Sequence, residues 1–158
     1  MTALQLITRS TGTGRKAAFL INDGSVVDME GTSYPSVVST PIVNNLYVVI
    51  WHRNYLGIMS AYPLTESGGI YTYDFTTPEG QAYGTEAQKN LGGVYGMYAA
   101  DGNADGTVDD IDINGIWATE AGNSGYLNGD FDLDSQSDNI DKDDVSIPNE
   151  GVECQVPE

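Results

Sequence analysis

The chain is expected to be mainly β: an antiparallel β-sandwich over residues 1–99, then a small module of two tandem loops over residues 100–158. Three observations predict this. Short apolar and β-branched runs succeed one another through the first hundred positions with turn residues between them, and none has the periodicity of an amphipathic helix. Charge is segregated: residues 1–100 hold seven acidic and five basic side chains, whereas residues 101–158 hold sixteen acidic ones and a single base, Lys142. A twelve-residue pattern also occurs twice, at Asp101–Asp112 and again 29 positions later at Asp130–Asp141.

In order along the chain, Leu4–Ser10 (LQLITRS) is a strand leading into a flexible TGTG. KAAFLI and SVVDM flank Asn22-Asp23-Gly24, a hairpin signal because these residues tolerate positive φ. LYVVIWHR, Leu46–Arg53, is the most apolar run and the best central strand; Asn54 and Tyr55 then make a tight turn into the return strand LGIMSAY. GIYTYDF places Tyr71, Tyr73 and Phe75 on one face and Ile70, Thr72 and Asp74 on the other. TPEGQAYGTEAQKN is polar and broken by glycine, a loop with one helical turn, and GGVYGMYAA is a last strand ending at the first repeated segment. Six or seven such strands with hairpin spacing indicate the sandwich.

The repeated segments are DGNADGTVDDID and DFDLDSQSDNID. Oxygen-bearing side chains at positions 1, 3, 5, 9 and 12 have the spacing of a calcium loop. In the first, Asp101, Asn103 and Asp105 are side-chain ligands, Thr107 contributes its carbonyl, Asp109 acts through water and Asp112 closes the loop; Gly106 supplies the sharp turn. In the second, Asp130, Asp132, Asp134, Gln136, Asp138 and Asp141 take the same roles, with Ser135 in place of the glycine at some strain. The expectation is two calcium ions in structural sites, since no methionine-rich groove suggests a sensor. After each loop comes a short segment, INGIWATEAG and KDDVSIPNEG, so the repeated unit is a loop plus a short helix or turn, limited by Pro148 in the second copy.

These features exclude several functions. A net charge of −17 makes nucleic acid a poor partner, and no stretch is apolar or long enough to insert in a membrane. Two calcium ions would turn the formal −15 of residues 101–158 into −11, which favours folding of a segment otherwise acidic enough for disorder. The only cysteine, Cys154, allows no internal disulfide. His52, the only histidine, lies inside the most apolar strand, where packing is a better account than catalysis, and the paired carboxylates are explained by calcium. No enzymatic activity is expected. Calcium loops of this kind fit a secreted, extracellular or cell-surface setting.

With both loops in view, the tail resembles dockerin-type tandem calcium repeats, whose unit also runs D-x-N-x-D-G to a closing Asp. The whole chain is similar to a module of large secreted bacterial surface proteins, in which a β-rich part with a motif like WHRNYLGIMSAYPLT (Trp51–Thr65) and phrases like RKAAFLINDGSVVD and QAYGTEAQKNLGG leads into such a tail. The resemblance implies calcium ligation at the matched loop positions. The post-loop segments lack the paired Ser-Thr site through which dockerins dock. Three functions are then expected to compete. The leading one is a non-enzymatic calcium-binding structural or adhesive module that associates with identical subunits or other surface proteins, as a filament subunit completed by strand exchange at an open edge. The others are a carbohydrate-binding accessory module with tyrosines stacking on polysaccharide, and a dockerin-like protein-docking module.

Overall fold

Strand-forming residues at the start of the chain zip into one sheet. The computed structural model describes residues 2–8, 12–20, 26–28, 30 and 45–157, with backbone alone for the strands before Val27. Strands β1 (Thr2–Thr8), β2 (Gly12–Leu20), β3 (Val26–Val27), β4 (Leu46–Trp51) and β5 (Ile58–Met59) lie in the order β3-β2-β1-β4-β5. β1 is bonded on both sides, with Leu4 opposite Lys16 on one and Ile50 on the other. Two ribbons follow, β6 (Thr65–Ser67) with β7 (Ile70–Thr72) and β8 (Lys89–Asn90) with β9 (Tyr95–Gly96). Every strand pairing among the described residues is antiparallel, and the chain is mainly β.

The chain divides into two compact units. In the first, Leu46 and Val48 are buried beneath Ile50, Leu64, Tyr71, Tyr73 and Phe75. The alternation expected of GIYTYDF is present: Tyr71, Tyr73 and Phe75 are half-buried while Ile70, Thr72 and Asp74 are exposed. Tyr73 and Phe75 meet edge to face with centroids 4.8 Å apart, and the Tyr73 hydroxyl donates to the Gln81 carbonyl at 2.5 Å. Buried Gln88 accepts from the Ala82 N–H at 3.1 Å and donates to the Phe75 carbonyl, which gives part of the QAYGTEAQKNLGG phrase a structural role.

Several expectations need correction. Gly12, Thr13 and Gly14 of the TGTG segment are strand, because the β1 ladder engages them opposite Thr8, Ile7 and Leu6. No helical turn forms between Thr77 and Asn90; its backbone is drawn instead into the bridge of Ser60 with Ala82 and into β8. Asn54 and Tyr55 are not a tight turn between β4 and β5, because Arg53–Gly57 packs with the second unit. Asn22-Asp23-Gly24 lies outside the described residues, as do Arg9 and Ser10.

The second unit is Arg53–Gly57 together with Met97–Gln155, so it begins before residue 100 and takes in a segment from the middle of the chain. Its core is Leu56, Ala100, Val108 and Phe131, with Tyr98, Trp117, Val145, Val152 and Cys154 around it. Each repeat ends in short helical turns: a π-helical turn at Asp112–Trp117 running into Ala118–Glu120, and another at Asp141–Ser146 running into a 3₁₀ turn at Ile147–Asn149 that contains Pro148.

Candidate metal centre

Aspartate's short side chain returns hydrogen bonds to nearby backbone N–H groups, and repeated Asp-x-Asp spacing produces a chain of such returns. In the first loop the Asn103 Oδ1 accepts from Asp105 N–H at 2.9 Å, Asp105 Oδ1 from Thr107 at 3.0 Å, and Asp109 Oδ1 from Ile111 at 2.7 Å. The second loop repeats these at the same offsets: Asp132 from Asp134 at 3.0 Å, Asp134 from Gln136 at 2.8 Å, Asp138 from Ile140 at 2.7 Å. The closing carboxylates bind both ends of their loops. Asp112 accepts from Asn103 N–H at 3.1 Å and Asp109 N–H at 2.9 Å, and Asp141 from Asp132 at 3.0 Å and Asp138 at 2.8 Å.

Backbone geometry repeats as well. Ala104 and Leu133 stand at φ of +59° and +66°, Gly106 and Ser135 at +92° and +76°, and Gly122 and Gly151 both at +84°. Ser135 thus adopts the strained conformation its position demands.

The two repeats exchange backbone bonds about a local pseudo-twofold axis. Gly122 N–H donates to Ser137 O at 2.7 Å and Ser137 N–H to Asn123 O at 3.0 Å; 29 positions on, Gly151 donates to Val108 O at 2.8 Å and Val108 to Val152 O at 2.9 Å. The bridge of Ser124 with Gln136 matches that of Thr107 with Glu153. Symmetry gives way at the centre. Phe131 fills the core beside Asp130, and its equivalent is Gly102, where a Cβ would lie 3.0 Å from Ile116 and 3.1 Å from the Phe131 ring. One ring fits, so the other copy has glycine.

Asp101, Asp112, Asp130 and Asp141 are buried; Asn103, Thr107, Asp109 and Asp138 are half-buried; Asp105, Asp132, Asp134 and Gln136 are exposed. One oxygen from each of Asp130, Asp132 and Asp134 falls within 4.8 Å of the others, an arrangement able to hold a metal ion. Burial, reinforced by the Asp112 charge, pushes the Asp101 carboxyl up to about 6. Burial likewise raises Asp112, against the N–H groups of Asp109 and Asn103, and raises Asp130, against the Arg53 guanidinium. Oxygens gathered where a proton is held tightly are also where a cation gains most.

No protein-family model matches this chain, and no curated protein or solved structure does either. Among the described residues, no helix is long and apolar enough to cross a membrane.

Reading the sequence for ligands passes over three residues. Arg53 donates from Nε to the Leu127 carbonyl at 3.0 Å, pairs with Asp130 Oδ2 at 3.3 Å and lies 3.8 Å over the Tyr126 ring. Asn54, fully buried, donates to the carbonyls of Asn128 at 3.0 Å and Asp130 at 2.6 Å. The Tyr55 hydroxyl donates to Phe131 O at 2.9 Å, and burial followed by the charges of Asp132 and Asp130 pushes its pKa up to about 12. The available signal was a charged and amide pair inside an apolar stretch.

Proposed function

We propose that this chain is a non-enzymatic, extracellular, calcium-binding structural module, with one ion in each loop. The observation that carries the reading is the residue-by-residue repetition, at an offset of 29, of side-chain-to-backbone bonds and positive-φ positions in two all-oxygen loops. Hard oxygen donors suit calcium. Asp101, Asn103, Asp105 and Asp112 would hold one ion, and Asp130, Asp132, Asp134 and Asp141 the other, with Thr107 and Gln136 giving carbonyls and Asp109 and Asp138 reaching through water. The ions would neutralise carboxylates that burial otherwise penalises.

We read the first unit as a β-sandwich; packing of Tyr71, Tyr73 and Phe75 against Leu46 and Val48 supports this. The pairing of β1 with both β2 and β4 favours a self-contained module over one completed by another subunit's strand. Half-burial of Trp51, Tyr71, Tyr73 and Trp117 weighs against a row of sugar-stacking rings. A second reading, a dockerin-like docking module, draws support from the pseudo-twofold exchange and from Ile111 and Ile140, exposed at equivalent positions.

Calorimetric titration of the chelator-stripped chain with calcium tests the main reading. Two bound ions and a raised melting temperature are expected, since a ligand that binds only the folded state stabilises it. An unchanged melting temperature and no binding heat at millimolar calcium overturn it.

A further inference from the structure

The two loops differ in how their first carboxylate is held. Asp130 and Asp101 occupy the first position of each. Asp101 accepts from the N–H groups of Asp105 at 3.0 Å and Gly106 at 3.2 Å and has no ion pair among the described residues. Asp130 faces the equivalent Ser135 N–H and in addition shares its Oδ2 with Arg53, delivered from a segment more than seventy residues earlier. Its other oxygen, Oδ1, is buried without a hydrogen-bond partner, and the residue is only 3% exposed. The guanidinium is itself fixed, by the Leu127 carbonyl and the Tyr126 face. Such a planar fork is pre-organised, so little is lost in holding it there.

The loops also differ in where their charge sits. Positions 1, 3, 5, 9 and 12 of the second loop are all Asp, whereas the first loop has Asn103 at the third. Each loop has five carboxylates in all, since Asp110 stands where the second loop has Asn139, but the second gathers one more at the ligand positions, and it is this loop that Arg53 meets.

Resting on the calcium reading above, we propose that Arg53 is the resident countercharge of the second loop: it holds Asp130 in place for an incoming ion, leaves Oδ1 without a competing hydrogen bond, and lowers that loop's calcium affinity. The guanidinium stabilises the metal-free loop, where carboxylates face one another. It opposes the loaded loop, where a divalent ion and the guanidinium share a carboxylate. By linkage, removing it destabilises the metal-free protein more than the loaded one and tightens binding at that loop alone.

The test compares the full chain with its Arg53→Gln and Arg53→Lys variants, titrated with calcium chloride while the Gly106 and Ser135 amide signals are followed by NMR. Even with bulk-water screening, a unit charge one carboxylate away from a divalent ion is worth about tenfold in affinity. Arg53→Gln is therefore expected to shift the Ser135 transition to about tenfold lower calcium or further, to leave that of Gly106 in place, and to lower the melting temperature more in chelator than in calcium. Arg53→Lys retains the charge and is expected to keep the Ser135 transition near that of the parent chain. An unchanged or weakened Ser135 transition in Arg53→Gln overturns the proposal, as does an equal shift in Arg53→Lys, which would mark a packing role. So does failure of Arg53→Gln to fold even in calcium. Absence of any response at both amides in the parent chain overturns the calcium reading itself, and this inference with it.

Discussion

Ser135 holds a backbone φ of +76° at the loop position where Gly106 holds +92°. An L-residue in this region is disfavoured by contact of its Cβ with the backbone, by about 1–2 kcal/mol, and glycine escapes the penalty. Replacing Ser135 with Gly is expected to stabilise the second unit by about 1 kcal/mol, and replacing Gly106 with Ser to destabilise it by about 1–2 kcal/mol. At Gly106 a Cβ would meet only the Cys154 Cβ at 3.5 Å, an ordinary contact, so the conformation is the source of the effect. Urea denaturation in calcium measures both, and equal midpoints for the two variants would refute the assignment of strain.

Gly102 and Phe131 share the space at the centre of the repeat pair. A methyl group at Gly102 overpacks a site already filled by the ring and Ile116, at an expected cost of about 1–3 kcal/mol. Combining Gly102→Ala with Phe131→Leu should recover part of that loss. A double-mutant cycle with no coupling between the two positions would show that they do not compete.

Asn54 is expected to be among the costliest polar positions to truncate. Its side chain donates to the buried Asp130 carbonyl and to the partly buried carbonyl of Asn128, so Asn54→Ala strands the first and leaves the second to water. Unsatisfied buried acceptors cost about 1–3 kcal/mol each. Denaturation should show a loss within that range, and a change below about 0.5 kcal/mol would mean that water replaces the amide easily.

The raised carboxyl of Asp101 sets a pH dependence with opposite signs in chelator and in calcium. Its pKa in the folded chain, about 6, lies above that of an unfolded aspartate, so the folded state binds the proton more tightly. That contribution is fully present below the unfolded value near pH 4 and is lost as pH rises through about 6. In chelator the melting temperature is expected to fall between pH 4.5 and 7. With calcium it should rise over the same interval, because the ion takes the place of the proton. Parallel profiles under the two conditions would exclude Asp101 as a ligand.

How much was legible in the sequence varies with the range of the interaction. The repeated loop backbone was legible because its side chains act on backbone at most ten residues away, and because duplication repeats the pattern. Tyr71, Tyr73 and Phe75 were legible through alternation. Asn54 was misread as a turn residue, since its type suits turns and nothing nearby shows that its amide is spent on Asn128 and Asp130. Gly12 and Gly14 were misread for a similar reason: composition suggested flexibility, but pairing to β1 decides their state. Gly102 was visible only as a departure from the repeat, and its reason lies in Phe131, a residue of the other copy.

The membership of Arg53–Gly57 in the second unit bears on how this unit can be inherited. A duplicated loop pair at the end of a chain looks like a cassette that a genome could cut and paste behind any other domain. Here the pasted piece would leave behind Leu56 from its core and the Asn54 amide that clasps its second half. Cut away from Arg53–Gly57, the two loops should yield a protein that expresses poorly, with a gap in its core where Leu56 packs.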